Sequence, residues 1–468
     1  MVAHVPWFAI TVVRAPSVGL VLACAACAAT APPAKRPTGP SHDPDHARGA
    51  LPTEATRRSE LALVRHYLDA MYAHRVAKIA RYQLDEDKIF ADAEHQLLAA
   101  SSWAAYDTAL YGVMAKFHDG HLTYHPPQTA APKVGYTSFR LGLRTVLAKD
   151  HLLIAEVEPG SDVAIAGVLA GDEVTAIDGR AVADVLAGQA AMRADARPQS
   201  ALAAFAKTWT AVLVPKGDPP RNRSIVVARR SGGDVTVKIT PRVSVEAKHE
   251  AVTIAHVGDV AVVTIRSLEG NKSRADAIDK ALAEARGAKG IVVDLRGNRG
   301  GVDKVGHRVV AGLAPGKALV GRYRVLAAPE TLARRPKWKD LVAEADGFSA
   351  EQVFTVDGLD HAYAGKIALV IDAACISTCE VVTSAVRADV GAVLIGETTG
   401  GSSGGPVSVN LTASRGSIQI PTWNLTTVDG KPIEDDGVAP DVEVFATADA
   451  LADHHDAPLD AAIAKVAP

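Results

Sequence analysis

The residues able to do chemistry sit in a few short polar runs set between apolar ones. One is Ser377-Thr378-Cys379-Glu380. It comes soon after the apolar run 367–371, which reads as a buried strand, and apolar and small residues then recur at helical spacing from Glu380 to Val390. The serine is thus expected at a tight strand-to-helix turn, where free backbone amides at the positive helix end stabilise a developing anion. A second run, 117–125, crowds His118, His121 and His125 together. Read as zinc ligands, these three lack a nearby Cys, Glu or further His to complete a set. Asp119-Gly120 also favours a turn over the continuous helix that would align them. The other readings are a turn with incidental histidines, or one imidazole accepting a proton near neutral pH. A third run, Asp294-Leu295-Arg296-Gly297-Asn298-Arg299-Gly300-Gly301, is glycine-rich. No Gly-Lys-Ser/Thr follows it and its glycine spacing is not that of a dinucleotide fingerprint, so nucleotide binding is not expected.

These runs need elements to hold them. From Thr53 to about residue 115, Leu61, Leu63, Val64, Tyr67, Leu68 and Met71 fall largely on one helical face, and Ile89, Phe90, Leu97 and Leu98 continue the pattern, which predicts a small helical cap over 53–134. Residues 135–242 turn to strand-like runs. From 250 to 446, strands such as 258–265 and 290–293 alternate with helical stretches such as 274–286, the signature of an α/β core. A short helical segment, 447–468, ends the chain. With 468 residues and 48% hydrophobic content there is ample material for two or three cores. The net charge of −3 and the absence of basic runs argue against a nucleic-acid partner.

The first 27 residues carry a short apolar segment, too short to span a bilayer and placed as an export signal. Val21-Leu22-Ala23-Cys24 resembles a bacterial lipobox, which implies lipidation of Cys24, with Cys27 as second choice, and a periplasm-facing lipoprotein held to the membrane by that anchor. Residues 28–52, rich in Ala, Pro, Thr and His, read as a disordered tether. The remaining cysteines, Cys375 and Cys379, are either a disulfide formed in an oxidising compartment or two small buried thiols.

Residues 135–242 resemble a PDZ domain. Leu141-Gly142-Leu143 stands at the carboxylate-loop position, a short helix is expected after Gly160-Ser161, and Gly171-Asp172-Glu173-Val174 leads into Asp178-Gly179. Stretches at 187–211 and 215–223 interrupt the pattern. Such domains bind extended peptides at a sheet edge. In the family's order the chain also carries Asp119-Gly120-His121, the glycine run 294–301, Ser377-Thr378-Cys379-Glu380, Gly396-Glu397-Thr398-Thr399-Gly400-Gly401 and Gly437-Val438-Ala439-Pro440-Asp441. On these motifs it resembles the serine peptidase family of the carboxyl-terminal processing proteases and tricorn protease, over about residues 60 to 445. The resemblance implies a multidomain α/β fold with a helical cap, a PDZ-like domain and a ClpP/crotonase-like core.

It also implies roles. Ser377 becomes the nucleophile, Thr378, Gly300 and Gly301 the oxyanion site, and no cofactor or metal is needed. Processing proteases carry a lysine base after the Gly-Glu loop, but here that position is Ser402, and no lysine lies between Ser377 and Lys431. The tricorn-like branch uses a histidine, which assigns His121 as base and Glu434 as the acid completing a tetrad. The serine that precedes the histidine in that branch is Gly120 here. Ser402 and Ser403 read as loop or substrate-lining residues. Cys379 is a poor rival nucleophile, with no basic neighbour. The expected function is an endopeptidase on extended polypeptides, with a catalytically silent peptide scaffold and an apolar-ligand carrier as rivals.

Overall fold

The computed structural model describes residues 48–127, 136–192, 195, 197–244, 250–361 and 363–468. The signal segment with Cys24 and Cys27, and most of the tether, lie outside that range. The end of the tether is docked: Arg48 pairs with Asp107 at 2.8 Å and Trp103 Nε1 donates to the Gly49 carbonyl.

Runs of β-branched residues build the centre. Val252–Val257 and Val260–Ile265 pair antiparallel, and Gly290–Asp294, Lys366–Ile371, Val393–Gly396 and Val442–Glu443 add on in parallel. Gly290–Asp294 is buried at every position, as a parallel strand covered on both faces must be. Side chains alternate accordingly. Ala261, Val263 and Ile265 join a core with the helices Lys272–Ala285, Asp303–Ala311 and Thr378–Ala385, while Val260 and Val262 meet Ala462 and Val466 of the C-terminal helix Ala457–Val466.

The cap contains the helices Glu54–Met71, Arg75–Tyr82, Glu86–Ala99 and Trp103–Ala115, with Leu61, Val64, Leu68 and Met71 inward as their spacing predicted. One side of its core comes from elsewhere. The hairpin Val407–Asn410/Ser417–Ile420, which the sequence groups with the 250–446 core, buries Val407, Val409, Ile418 and Ile420 among the cap helices and pairs with Thr123–His125.

The β domain is a sheet ordered Leu143–Ala148, His151–Val157, Glu173–Ile177, Arg223–Ala228, Asp234–Ile239. Gly142 (φ 79°) turns the chain into it so tightly that a Cβ there would lie 2.4 Å from Ser161 Cβ. The expected short helix is Asp162–Ile165, capped by Ser161. The interruption near 187–211 proves helical, as Val182–Met192 and Pro198–Thr208. Thr145 Oγ1 donates to the Ala206 carbonyl at 2.6 Å and accepts from Trp209 Nε1, fixing this helical insert to the sheet. Among the described residues no helix is long and apolar enough to cross a membrane.

Candidate active site

The strand Lys366–Ile371 delivers the chain to the centre of the molecule and the helix Thr378–Ala385 carries it away. Ser377 sits at the junction with φ 59° and ψ −129°, a backbone state costly for a residue with a side chain and maintained only by its surroundings. Those surroundings are visible. The Ser377 amide donates to both the Ser402 carbonyl and Glu380 Oε2, and Glu380 Oε1 accepts from Thr399 Oγ1 and the Gly401 amide. Burial pushes the Glu380 carboxyl up to about 8, and four donors, including the Ser402 amide, oppose that rise. Serine followed three residues later by glutamate at a helix start is a capping pattern, and the Glu380 carboxylate closes it on the Ser377 amide. A disulfide joins Cys375 to Cys379, bracketing the serine and removing Cys379 as a free thiol.

The glycine run lies against this turn. The Gly300 amide donates to Asn298 Oδ1 at 2.9 Å, and among the described residues no partner takes the amides of Gly301 or Thr378. Gly300 itself therefore offers closeness rather than a hydrogen bond. A Cβ on it (φ 78°) would fall 2.7 Å from the Ile376 carbonyl and 3.0 Å from the Thr378 nitrogen, covering the latter. Thr378 Oγ1 bonds the Gly301 carbonyl and Asp303 Oδ1, tying the two loops together.

His121 arrives from the cap. Its Nε2 is 3.2 Å from Ser377 Oγ and its Nδ1 is 2.9 Å from Ser402 Oγ. Burial holds its imidazole below the ordinary histidine value, so the ring is neutral at pH 7 and able to accept a proton. The three histidines of the run part company: His118 stacks on Tyr82 and His125 Nε2 meets Gln419, so their nitrogens do not converge as metal ligands.

Asp119, unassigned from sequence, is wholly buried and accepts from the His121 amide, Tyr72 Oη and His74 Nδ1. Burial opposes its charge, yet His74, Lys78 and His121 hold its carboxyl well below the usual carboxylate range. Glu434 is nearby but is not a described hydrogen-bond partner of His121. Its Oε1 lies 2.7 Å from Lys78 Nζ and its Oε2 accepts the Ser403 amide at 2.7 Å. Burial and Asp119 push its carboxyl up to about 7. Lys78, buried, also reaches Asp435 at 2.6 Å. The atoms of His74, Asp119 and Glu434 converge as a cation site would, and the lysine supplies the cation.

The structure therefore brings Ser377, His121, Thr378, Gly300 and Gly301 together and sets Glu434 one loop away. Ser402 is the contact that sequence reasoning passed over. Its signal was the count itself, since it stands where the resemblance expects a lysine. Leu141–Leu143 lies apart, in the β domain.

A strained serine, a histidine 3.2 Å away and two open amides form the equipment of a serine hydrolase. Residues 259–444 match the model of peptidase family S41, which supports a serine-type peptidase. Mature CPAF, solved with lactacystin, shares the fold at TM-score 0.63 and 13% identity over 86% of this chain and 96% of that one. The photosystem II D1 C-terminal processing protease gives 0.47 at 17% identity (84% and 94% covered), and tricorn protease 0.46 at 15% (88% and 36%). No curated protein sequence matches the chain.

Proposed function

We propose that the chain is an exported serine endopeptidase that cleaves extended or unfolded polypeptides through an acyl-enzyme, with Ser377 as nucleophile and His121 as base. The contact of His121 Nε2 with Ser377 Oγ carries this reading. As Oγ attacks the scissile carbonyl, its proton passes to Nε2, and the carbonyl oxygen becomes an oxyanion facing the amides of Thr378 and Gly301. The imidazolium then returns the proton to the leaving amine, and a water repeats the sequence on the ester. Glu434, through the Ser403 amide, steadies the loop that carries Ser402.

The β domain acts as a PDZ-like recruiter, its Leu141-Gly142-Leu143 turn receiving an extended chain. Cys24 carries a lipid that holds the enzyme at the bacterial cell envelope, facing the periplasm. The Cys375–Cys379 disulfide suits that oxidising compartment.

A fluorophosphonate probe tests the chemistry. Labelling of native wild type, lost on denaturation and in Ser377→Ala, is expected together with hydrolysis of unfolded casein. Casein cleavage that persists in purified Ser377→Ala would overturn the assignment. Fatty-acid labelling that survives Cys24→Ala would move the anchor elsewhere.

A further inference from the structure

With Nε2 turned to Ser377 Oγ as acceptor, Nδ1 of His121 carries the ring proton and donates it to Ser402 Oγ at 2.9 Å. Ser402 Oγ then has a proton of its own to place, and among the described residues His121 is its one hydrogen-bond partner. A carboxylate of the β domain borders the same space without hydrogen-bonding Ser402. A Cβ built on Gly120 would lie 3.0 Å from Ser402 Oγ and 3.0 Å from Asp195 Oδ1, so the glycine leaves a gap bordered by a hydroxyl and a carboxylate from two distant segments. Asp195 lies between the insert helices Val182–Met192 and Pro198–Thr208 with its side chain only 6% exposed, 3.6 Å from Arg299. A buried carboxylate with so loose a partner is costly unless it serves a nearby charge. Glu434, by comparison, already has Lys78 at 2.7 Å.

We infer that Asp195 is the acid behind His121: a positioning residue that acts through Ser402, and through its own charge, to fix the ring tautomer and balance the imidazolium formed during catalysis. The inference rests on the Ser377–His121 reading. It makes the base complete only while the helical insert is seated on the peptidase core. Three further contacts make that seat. Lys207 pairs with Asp372 at 2.6 Å, Arg197 Nη1 donates to the Asp436 carbonyl at 3.0 Å, and Ser200 Oγ lies 2.9 Å from where a Cβ on Gly400 would be. The charged groups acting on His121 are Asp119 and Asp195, which favour its protonated form, and His74 and Arg299, which oppose it.

The test uses the full chain and fluorescently labelled unfolded casein. Asp195→Asn is expected to lower kcat roughly 100-fold, the low end of what a positioned base contributes, with KM little changed. The acid limb of the pH profile should move to lower pH, because the lost carboxylate no longer supports the imidazolium. Ser402→Ala should lose a similar factor, the double variant no more than either single one, and Asp195→Glu should recover part of the rate. In a Ser377→Ala background, NMR titration of His121 should give a lower midpoint when Asp195→Asn is added, a readout free of turnover. An unchanged rate and pH profile in Asp195→Asn, a faster rate, or an unmoved His121 titration would overturn the inference. If Ser377→Ala cleaves like wild type, the peptidase reading fails instead, and the titration still decides whether Asp195 supports the ring.

Discussion

Two buried polar clusters lie side by side at the joint of cap and core, and they are built to opposite ends. Around Lys78, cations and carboxylates are matched: Glu434 and Asp435 at 2.7 and 2.6 Å, with Asp119 shared by Tyr72 and His74. Around Ser377, capacity is left over. The Thr378 and Gly301 amides have no described partner, the neutral His121 has a proton to gain, and the serine backbone is strained. A satisfied cluster holds two domains together, and an unsatisfied one is aimed at something that is not yet there.

Substitutions on the two sides should therefore fail differently. His121→Ala is expected to cut kcat/KM by at least about 10⁴-fold while leaving the thermal midpoint near wild type, because the ring serves chemistry more than packing. Lys78→Met should do the reverse. Uncompensated carboxylates in a buried cluster cost about 3–5 kcal/mol of unfolding free energy, measurable by urea titration, while the folded fraction keeps its turnover number. A catalytic loss as large as that of His121→Ala, at unchanged stability, would dissolve the distinction.

Gly300→Ala lies on the boundary: its methyl group would sit over the Thr378 amide, and the loss of one oxyanion donor predicts a kcat about 10²–10³-fold lower. Replacing both Cys375 and Cys379 by Ala should lower stability by roughly 2 kcal/mol, the chain-entropy value for so short a loop, read as a shift in the urea midpoint. The smallest effect sharpens the comparison most. Because burial depresses the His121 pKa, the imidazole loses its proton below the ordinary value of 6.5. The acid limb of kcat/KM should then have its midpoint below pH 6.5, and a midpoint above it would mean that the carboxylates outweigh burial.

Much of the unsatisfied cluster was legible in the sequence, and almost none of the satisfied one. Ser377 was readable through the family motif it heads, its strand-to-helix turn through the apolar runs on either side, and the glycines of 300 and 301 by the lack of side chains where a loop must come close. His121 was readable through the motif that contains it. Lys78, in contrast, looks like any lysine on an amphipathic helix, and only the packing of the helix Arg75–Tyr82 against residues 434–435 buries it. Ser402 touches a histidine 281 positions away, a pairing that no local pattern encodes. The insert helices were read only as an interruption of a β pattern, because alanine-rich stretches carry weak amphipathic contrast.

The hairpin that completes the cap has a consequence for how the molecule comes into being. Thr123 registers with Gln419 and His125 with Ser417, so the cap, which leaves the ribosome before the core, waits for strands made long after it. Closing so long a loop is slow, and contact order of this kind delays folding until synthesis is nearly finished. A nascent chain halted before residue 407 should keep the cap protease-sensitive, which limited proteolysis of such a truncation can read. His121 would then have no fixed place, and the truncated chain would lack a positioned base.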